Sequence, residues 1–266
     1  MKLSATLSLL PALVPLSSSQ STGSGPYPAA YTTDPSLPSH TIYKPTTPTP
    51  ASDPLPVLIW GNGACANDGT DFANFLTNIA SYGYIAIASG PPGGTGSTNA
   101  AMMRDAIDFI TAAAAAGTDG YETVDVGRIA VAGMSCGGLE AYELRDDERV
   151  SNLGIFNSGF LDGGEAISEV AVPVFYFLGG RGDIAYPNGM RDYAALQGVP
   201  KWVGNYPVGH GGTYGDPDGG AFGVAAVNWL QFVLKGDAEA AGFFMQGGAE
   251  AAGWQETASE GLEELL

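Results

Sequence analysis

Ser135 lies in Gly133-Met134-Ser135-Cys136-Gly137-Gly138, directly after the apolar run Arg128-Ile129-Ala130-Val131-Ala132. A β-rich run leading into Gly-x-Ser-x-Gly, then into helix-compatible sequence, describes a nucleophile elbow. This sharp strand-to-helix turn holds the hydroxyl above a sheet edge. Glycines beside the serine remove Cβ atoms that would clash in so tight a turn, and the following helix sets its positive end beneath the hydroxyl. A serine hydroxyl is a poor nucleophile until a base accepts its proton, and the base must itself be oriented by a carboxylate.

The chain has two histidines. His40 lies in a Pro-rich stretch ahead of the first expected core strand. His210 sits in the glycine loop Val208-Gly209-His210-Gly211-Gly212, between a strand and the last long helix, and is the expected base. Its imidazole must be neutral to act, so activity is expected to fall as acid protonates it. The carboxylate is expected at the end of a parallel strand. Asp183, in Gly179-Gly180-Arg181-Gly182-Asp183 after the strand Val172 to Leu178, is preferred to Asp162 and to the helix-borne Asp192. Arg181-Gly182-Asp183 also spells an adhesion tripeptide, a match too short to carry weight.

An oxyanion needs two backbone donors. One is expected from Cys136, and the other from Ala64 or Cys65 in the loop after the strand Val57 to Trp60. Gly61 and Gly63 let that backbone approach a carbonyl closely. The chain has two cysteines, one in each of these segments. A Cys65–Cys136 disulfide is therefore expected, with two buried free thiols as the alternative. Neither cysteine has the His or Cys companions of a zinc site, and no metal or organic cofactor is expected. Pro91-Pro92-Gly93-Gly94-Thr95-Gly96 lacks the Gly-Lys-Ser/Thr of a phosphate loop and reads as a shaped turn.

These residues need a scaffold of alternating elements. Strands are expected at Tyr84 to Ala88, Asn152 to Phe156 and Trp202 to Tyr206, besides those at 57–60, 128–132 and 172–178. Helices are expected over 71–81, 100–116, 190–196 and 221–234, with a shorter one after the elbow to about Arg145. Thr41 to Lys44 reads as a short edge strand stopped by Pro45. The alternation implies right-handed crossovers and a mainly parallel central sheet covered by helices on both faces. About fifteen residues, Asn157 to Ala171, separate two strands, too few for a lid domain. The site should be open, with Trp60, Phe160 and Tyr186 as candidate substrate walls.

The 266 residues are 45% hydrophobic and 14% charged, enough for a sizeable core. Ten basic residues against twenty-eight acidic ones give a net charge of −18, which disfavours nucleic acid and anionic membranes as partners. Lys2, the apolar stretch Leu3 to Leu16 and Ser17-Ser18-Ser19 read as an export signal. The expected organisation is therefore a signal peptide (1–19), a Pro/Ser/Thr-rich segment with an edge strand (20–56), a core (57–235) and an acidic C-terminal extension of mixed helix and loop (236–266). The mature chain is expected to be extracellular, monomeric and without stable membrane insertion.

The order Gly-x-Ser135-x-Gly, Gly-Gly-Arg-Gly-Asp183-Ile-Ala-Tyr-Pro, then Gly-His210-Gly resembles the α/β-hydrolase superfamily over about Pro26 to Leu234. Within it the likeness is greatest to the dienelactone-hydrolase-like and polyester-hydrolase (cutinase-like) lipase branches. Ser135 stands where dienelactone hydrolases proper carry cysteine, and polyester hydrolases lack cysteines at both oxyanion segments. Trp60 to Gly69 looks like a group of secreted fungal and bacterial hydrolases. The resemblance implies an α/β-hydrolase fold and a serine hydrolase acting on small, aryl or polymeric esters. An amidase, peptidase or acyltransferase would use the same residues, and a non-catalytic secreted binding protein could keep the same fold.

Overall fold

The computed structural model describes residues 21–162 and 165–266. The expected export signal lies outside the described residues, as do Gly163 and Gly164. Large apolar side chains occur on both faces of the core strands, so the sheet has to be covered twice. In β3 (Leu55–Gly61) Val57 and Ile59 face one core while Leu58 and Trp60 face the other. The same alternation divides β4 (Ile85–Ser89), β5 (Val124–Met134) and β7 (Val174–Leu178) between the two cores.

Together with β1 (Ala29–Thr32), β2 (His40–Pro45), β6 (Val150–Phe156), β8 (Lys201–Asn205) and β9 (Gln255–Glu260), these form one nine-stranded sheet among the described residues, ordered β1-β2-β4-β3-β5-β6-β7-β8-β9. The six strands from β4 to β8 in that order run parallel, β2 and β9 run against them, and β1 pairs antiparallel with β2. The chain is thus a mixed α/β structure with a mostly parallel central sheet.

One face is covered by α1 (Ala73–Ser81), α5 (Gly220–Lys235) and α6 (Ala238–Met245), the other by α2 (Ala100–Ala115), α3 (Cys136–Tyr142) and α4 (Tyr186–Ala195). The first face is aromatic, and its middle strands are small to make room. A Cβ on Gly154 would lie 2.5 Å from the Trp229 ring and 3.0 Å from the Ala132 Cβ. Local signals set the helix ends. The Asn99 side chain accepts from the amides of Ala101 and Met102 to start α2, and Gly236 at φ +66° ends α5. No helix of the described residues is long and apolar enough to cross a membrane.

Three expectations need correction. Thr41 to Lys44 is not an edge strand: it lies within β2, paired on both sides, because β1 takes the edge and Pro45 sits at the end of that pairing. The helix expected from 190 begins at Tyr186, since Pro187 falls in its first turn, where a missing N–H costs nothing. The acidic extension contains a strand as well as helices. Its β9 pairs with β8, and Phe243, Phe244, Trp254 and Leu262 enter the aromatic core. Trp254 lies 5.7 Å from Trp202 and 5.1 Å from Phe222, ring to ring. Trp254→Ala is therefore expected to cost about 3–5 kcal/mol, measured as a drop in the denaturant midpoint. An unchanged midpoint would mean that the extension adds nothing to the core.

Candidate active site

Parallel strands collect functional groups where their C-terminal ends meet. Ser135 follows β5, Asn157 follows β6, Asp183 follows β7, and His210 follows β8. Ser135 has φ +52° and ψ −114°, a conformation L residues avoid, and close packing beneath it enforces the turn. A Cβ on Gly133 would lie 2.2 Å from the Gly137 carbonyl oxygen, and one on Gly137 would lie 2.1 Å from the carbonyl of Gly61. These glycines are required by approach, since neither Gly133 nor Gly137 has a positive φ. The Ser135 amide donates to Phe156 O at 2.9 Å, and the Ser158 hydroxyl donates to Ser135 O at 2.7 Å.

His210 Nε2 lies 3.0 Å from Ser135 Oγ, and Nδ1 lies 2.6 Å from Asp183 Oδ1. The buried Asp183 carboxylate also accepts from Ala185 N on Oδ1, and from Gly179 N and Asn157 Nδ2 on Oδ2, at 2.8–2.9 Å. Burial pushes this carboxyl up, but the Ala185 and Gly179 amides, Asn157 and His210 together outweigh it and hold it below the usual range. With Nδ1–H held by the carboxylate, Nε2 is free to accept the serine proton. Such a line can activate a hydroxyl for attack on a carbonyl carbon. His40 opens β2, is buried, and contacts Met102 O through Nε2 at 2.8 Å, remote from this line.

Cys65 and Cys136 form a disulfide with Cα atoms 5.2 Å apart. The loop it anchors is unusual, with Ala64 at φ +54° and Cys65 at φ +49°. The short 3₁₀ turn Gly63–Cys65 leaves the amides of its first residues without partners inside the turn, and Cys136 N is likewise the first amide of α3. Buried Asn62 fixes the loop from below, its Nδ2 lying 2.8–3.0 Å from the carbonyls of Ala66, Asp68 and Ser89. The 90–97 turn braces it from outside, with Gly93 N donating to Asp68 Oδ1 and Ser97 bridging to Ala66.

A cavity of about 280 Å³ opens beside Ser135. Its apolar walls are Leu139, Leu161, Ile184 and Ala185, and Asn188 adds an amide. The expected walls do not line it. Trp60 is fully buried among Phe72, Phe75 and Phe156, Phe160 stacks on Tyr142 at 4.0 Å, and Tyr186 turns outward to Glu256. Asp192, passed over for the acid, is buried, accepts from Phe160 N at 2.6 Å and pairs with Arg191. The adhesion tripeptide is not displayed as one, because Asp183 is buried and Arg181 pairs with Glu256. Among the described residues no group of three or more His, Cys, Asp or Glu side chains is placed to hold a metal ion. Two contributors escape sequence reasoning, Asn157 and Tyr214, whose hydroxyl donates to Asn157 Oδ1.

No protein-family model matches the chain, and no curated protein matches it in sequence. The geometry of the site therefore carries the functional reading.

Two outcomes are expected from the shell around the serine. Reduction of the disulfide, or Cys65→Ser with Cys136→Ser, removes a link between residues 71 apart. It should cost about 4 kcal/mol on the chain-entropy estimate, read from the denaturant midpoint, and should lower any Ser135-dependent activity. Undiminished stability would remove the bridge as a constraint. The second concerns Glu140 on α3, where Thr98 donates to Oε1 at 2.8 Å and buried Oε2 has no partner. Burial raises this carboxyl above its ordinary 4.5, against the opposing Thr98 hydrogen bond. A group raised on folding contributes stability below its unfolded value and loses it as pH rises through the folded one. Glu140→Gln should therefore flatten the decline in unfolding free energy from pH 4.5 upward, and an unaltered slope would contradict this.

Proposed function

We propose that the protein is a serine carboxylic-ester hydrolase of the α/β-hydrolase fold that works through an acyl-enzyme. One observation carries the reading: an unbroken hydrogen-bond line from Ser135 Oγ through His210 to Asp183, with the serine on a left-handed turn at a parallel strand's end. The chain order of nucleophile, acid and base after β5, β7 and β8 agrees with that fold, as does the strand order.

Ser135 Oγ bonds to the ester carbonyl carbon as its proton passes to His210 Nε2. The carbonyl oxygen gains negative charge opposite the amides of Cys136 and of Ala64 or Cys65, where developing charge is stabilised most effectively. Collapse breaks the bond to the alcohol oxygen, which leaves with the proton from His210. Water then repeats the sequence, giving up a proton to His210 and releasing the acid and free Ser135. Asp183 stays ionised throughout and holds the imidazolium.

At about 280 Å³ the cavity falls just below the roughly 300–1,000 Å³ range of ligand clefts, which suits a short apolar or single-ring group. Leu161 and Ile184 are 73% and 76% exposed, so bulky or polymeric esters can reach the rim. The disulfide fits an oxidising, extracellular setting, and the net charge of −18 disfavours polyanionic partners.

The test is turnover of an ester panel of graded acyl length, beside matched amides and an added alcohol acceptor. Ester hydrolysis should dominate, with short acyl groups preferred. Ser135→Ala and His210→Ala should each lose at least about 10³-fold in kcat. Wild-type turnover in Ser135→Ala would overturn the proposal, and faster amide cleavage or acyl transfer would redirect it.

A further inference from the structure

Beyond the Ser135–His210–Asp183 line, a second chain of hydrogen bonds reaches the same carboxylate from the opposite side. Asn157 follows β6 at φ +43°, a left-handed position that asparagine tolerates better than most residues. Its amide donates to Phe177 O at 2.7 Å, fixing the turn, and its side chain crosses toward the 179–183 loop. Space there is reserved: a Cβ on Gly179 would sit 2.9 Å from Asn157 Nδ2. Nδ2 donates to Asp183 Oδ2 at 2.8 Å and faces Gly209 O at 3.4 Å.

The orientation of this amide is set by partners on both ends. Asp183 and Gly209 offer only acceptors to Nδ2, and the Tyr214 hydroxyl donates to Oδ1. Turning the amide over would put its oxygen against a carboxylate and a carbonyl. Tyr214 is itself immobilised, its ring 5.0–5.3 Å from Phe72, Phe75 and Phe222. Burial, with the nearby Asp183 charge, holds its phenol far above the usual range, so it remains a donor at any working pH. Tyr214 also lies four residues beyond His210 in the same loop, so the donor chain and the base are tied together.

Resting on the hydrolase reading above, we infer that Asn157 and Tyr214 are positioning residues that fix the rotation of the Asp183 carboxylate and thereby the aim of His210 at Ser135. Asp183 Oδ1 is left to His210 and Ala185, while Asn157 and Gly179 occupy Oδ2. Tyr214 lies outside the lining of the cavity beside Ser135, whereas Asn157 meets that cavity next to Ser158. Loss of the Tyr214 hydroxyl should lower kcat with KM little changed, because the misplacement acts on proton transfer rather than on binding.

The decisive variant is Asn157→Asp, which keeps the shape. When protonated, the introduced carboxyl can donate to Asp183 Oδ2 and accept from Tyr214, as the amide does. When ionised it sets a second negative charge against Asp183, which burial and like-charge repulsion resist. Relative to wild type at the same pH, this variant should keep much of its kcat at the acid end and lose a growing share of it as pH rises. The wild-type amide at this position does not ionise, so wild type is the reference at each pH. Tyr214→Phe should lower kcat about 3- to 10-fold at unchanged KM, and Asn157→Leu should lower kcat by roughly 10- to 100-fold.

The measurement is kcat and KM for a short-chain p-nitrophenyl ester across pH, with melting temperature and near-UV circular dichroism recorded for each protein. Wild-type inactivity on every ester would remove the hydrolase reading itself. An active wild type with an Asn157→Asp profile of the same shape would overturn only the positioning pair. If Asn157→Asp does not fold, Tyr214→Phe decides. Folded protein with wild-type kcat contradicts the inference, and a fall in kcat at constant KM supports it.

Discussion

Gly61, Gly133 and Gly137 lie so close together that none has room for a methyl group, and the left-handed turn at Ser135 rests on that contact. The first glycine ends β3, the second lies in β5, and the third is in the first turn of α3. Their approach brings the loop after β3 within disulfide reach of the serine segment. One close packing therefore fixes the proposed nucleophile, the direction of the helix behind it and the loop offering the second amide. The strain at Ser135, Ala64 and Cys65 is sustained because the surroundings leave no alternative.

Electrostatics completes what packing begins. The Asp183 carboxylate accepts four hydrogen bonds and is held ionised, so its partner His210 keeps one orientation and one tautomer. A carboxyl lowered in this way contributes stability above its ordinary value near 3.8 and loses it as pH falls below. Glu140, behind the neighbouring amide segment, has the opposite sign. The two carboxyls thus limit stability from opposite ends of the pH range.

Residues marked by glycine punctuation and chain order were the most legible in the sequence. Ser135, Asp183 and His210 stand at loop positions that glycines advertise, and the structure brings them into one hydrogen-bonded line. The disulfide was legible from number and placement alone. The cavity walls were not, because large aromatics look suited to a substrate but here serve the core, as Trp60 does among three phenylalanines. Aliphatic Leu161 and Ile184 in irregular loops carry no periodic signal. Asn157 is a single polar residue after a strand, and its role depends on a backbone angle no pattern encodes. Strand β9, Gln-Glu-Thr-Ala-Ser-Glu, is largely exposed and lacks apolar alternation, so only its pairing with β8 reveals it.

The central claim is that Ser135 is an activated nucleophile. A fluorophosphonate reacts covalently with such a serine, and the intact mass of the product counts the sites. The account predicts one phosphonyl group per chain, located on Ser135 by peptide mapping and absent from Ser135→Ala. Unlabelled folded wild type, or equal labelling of Ser135→Ala, would contradict it.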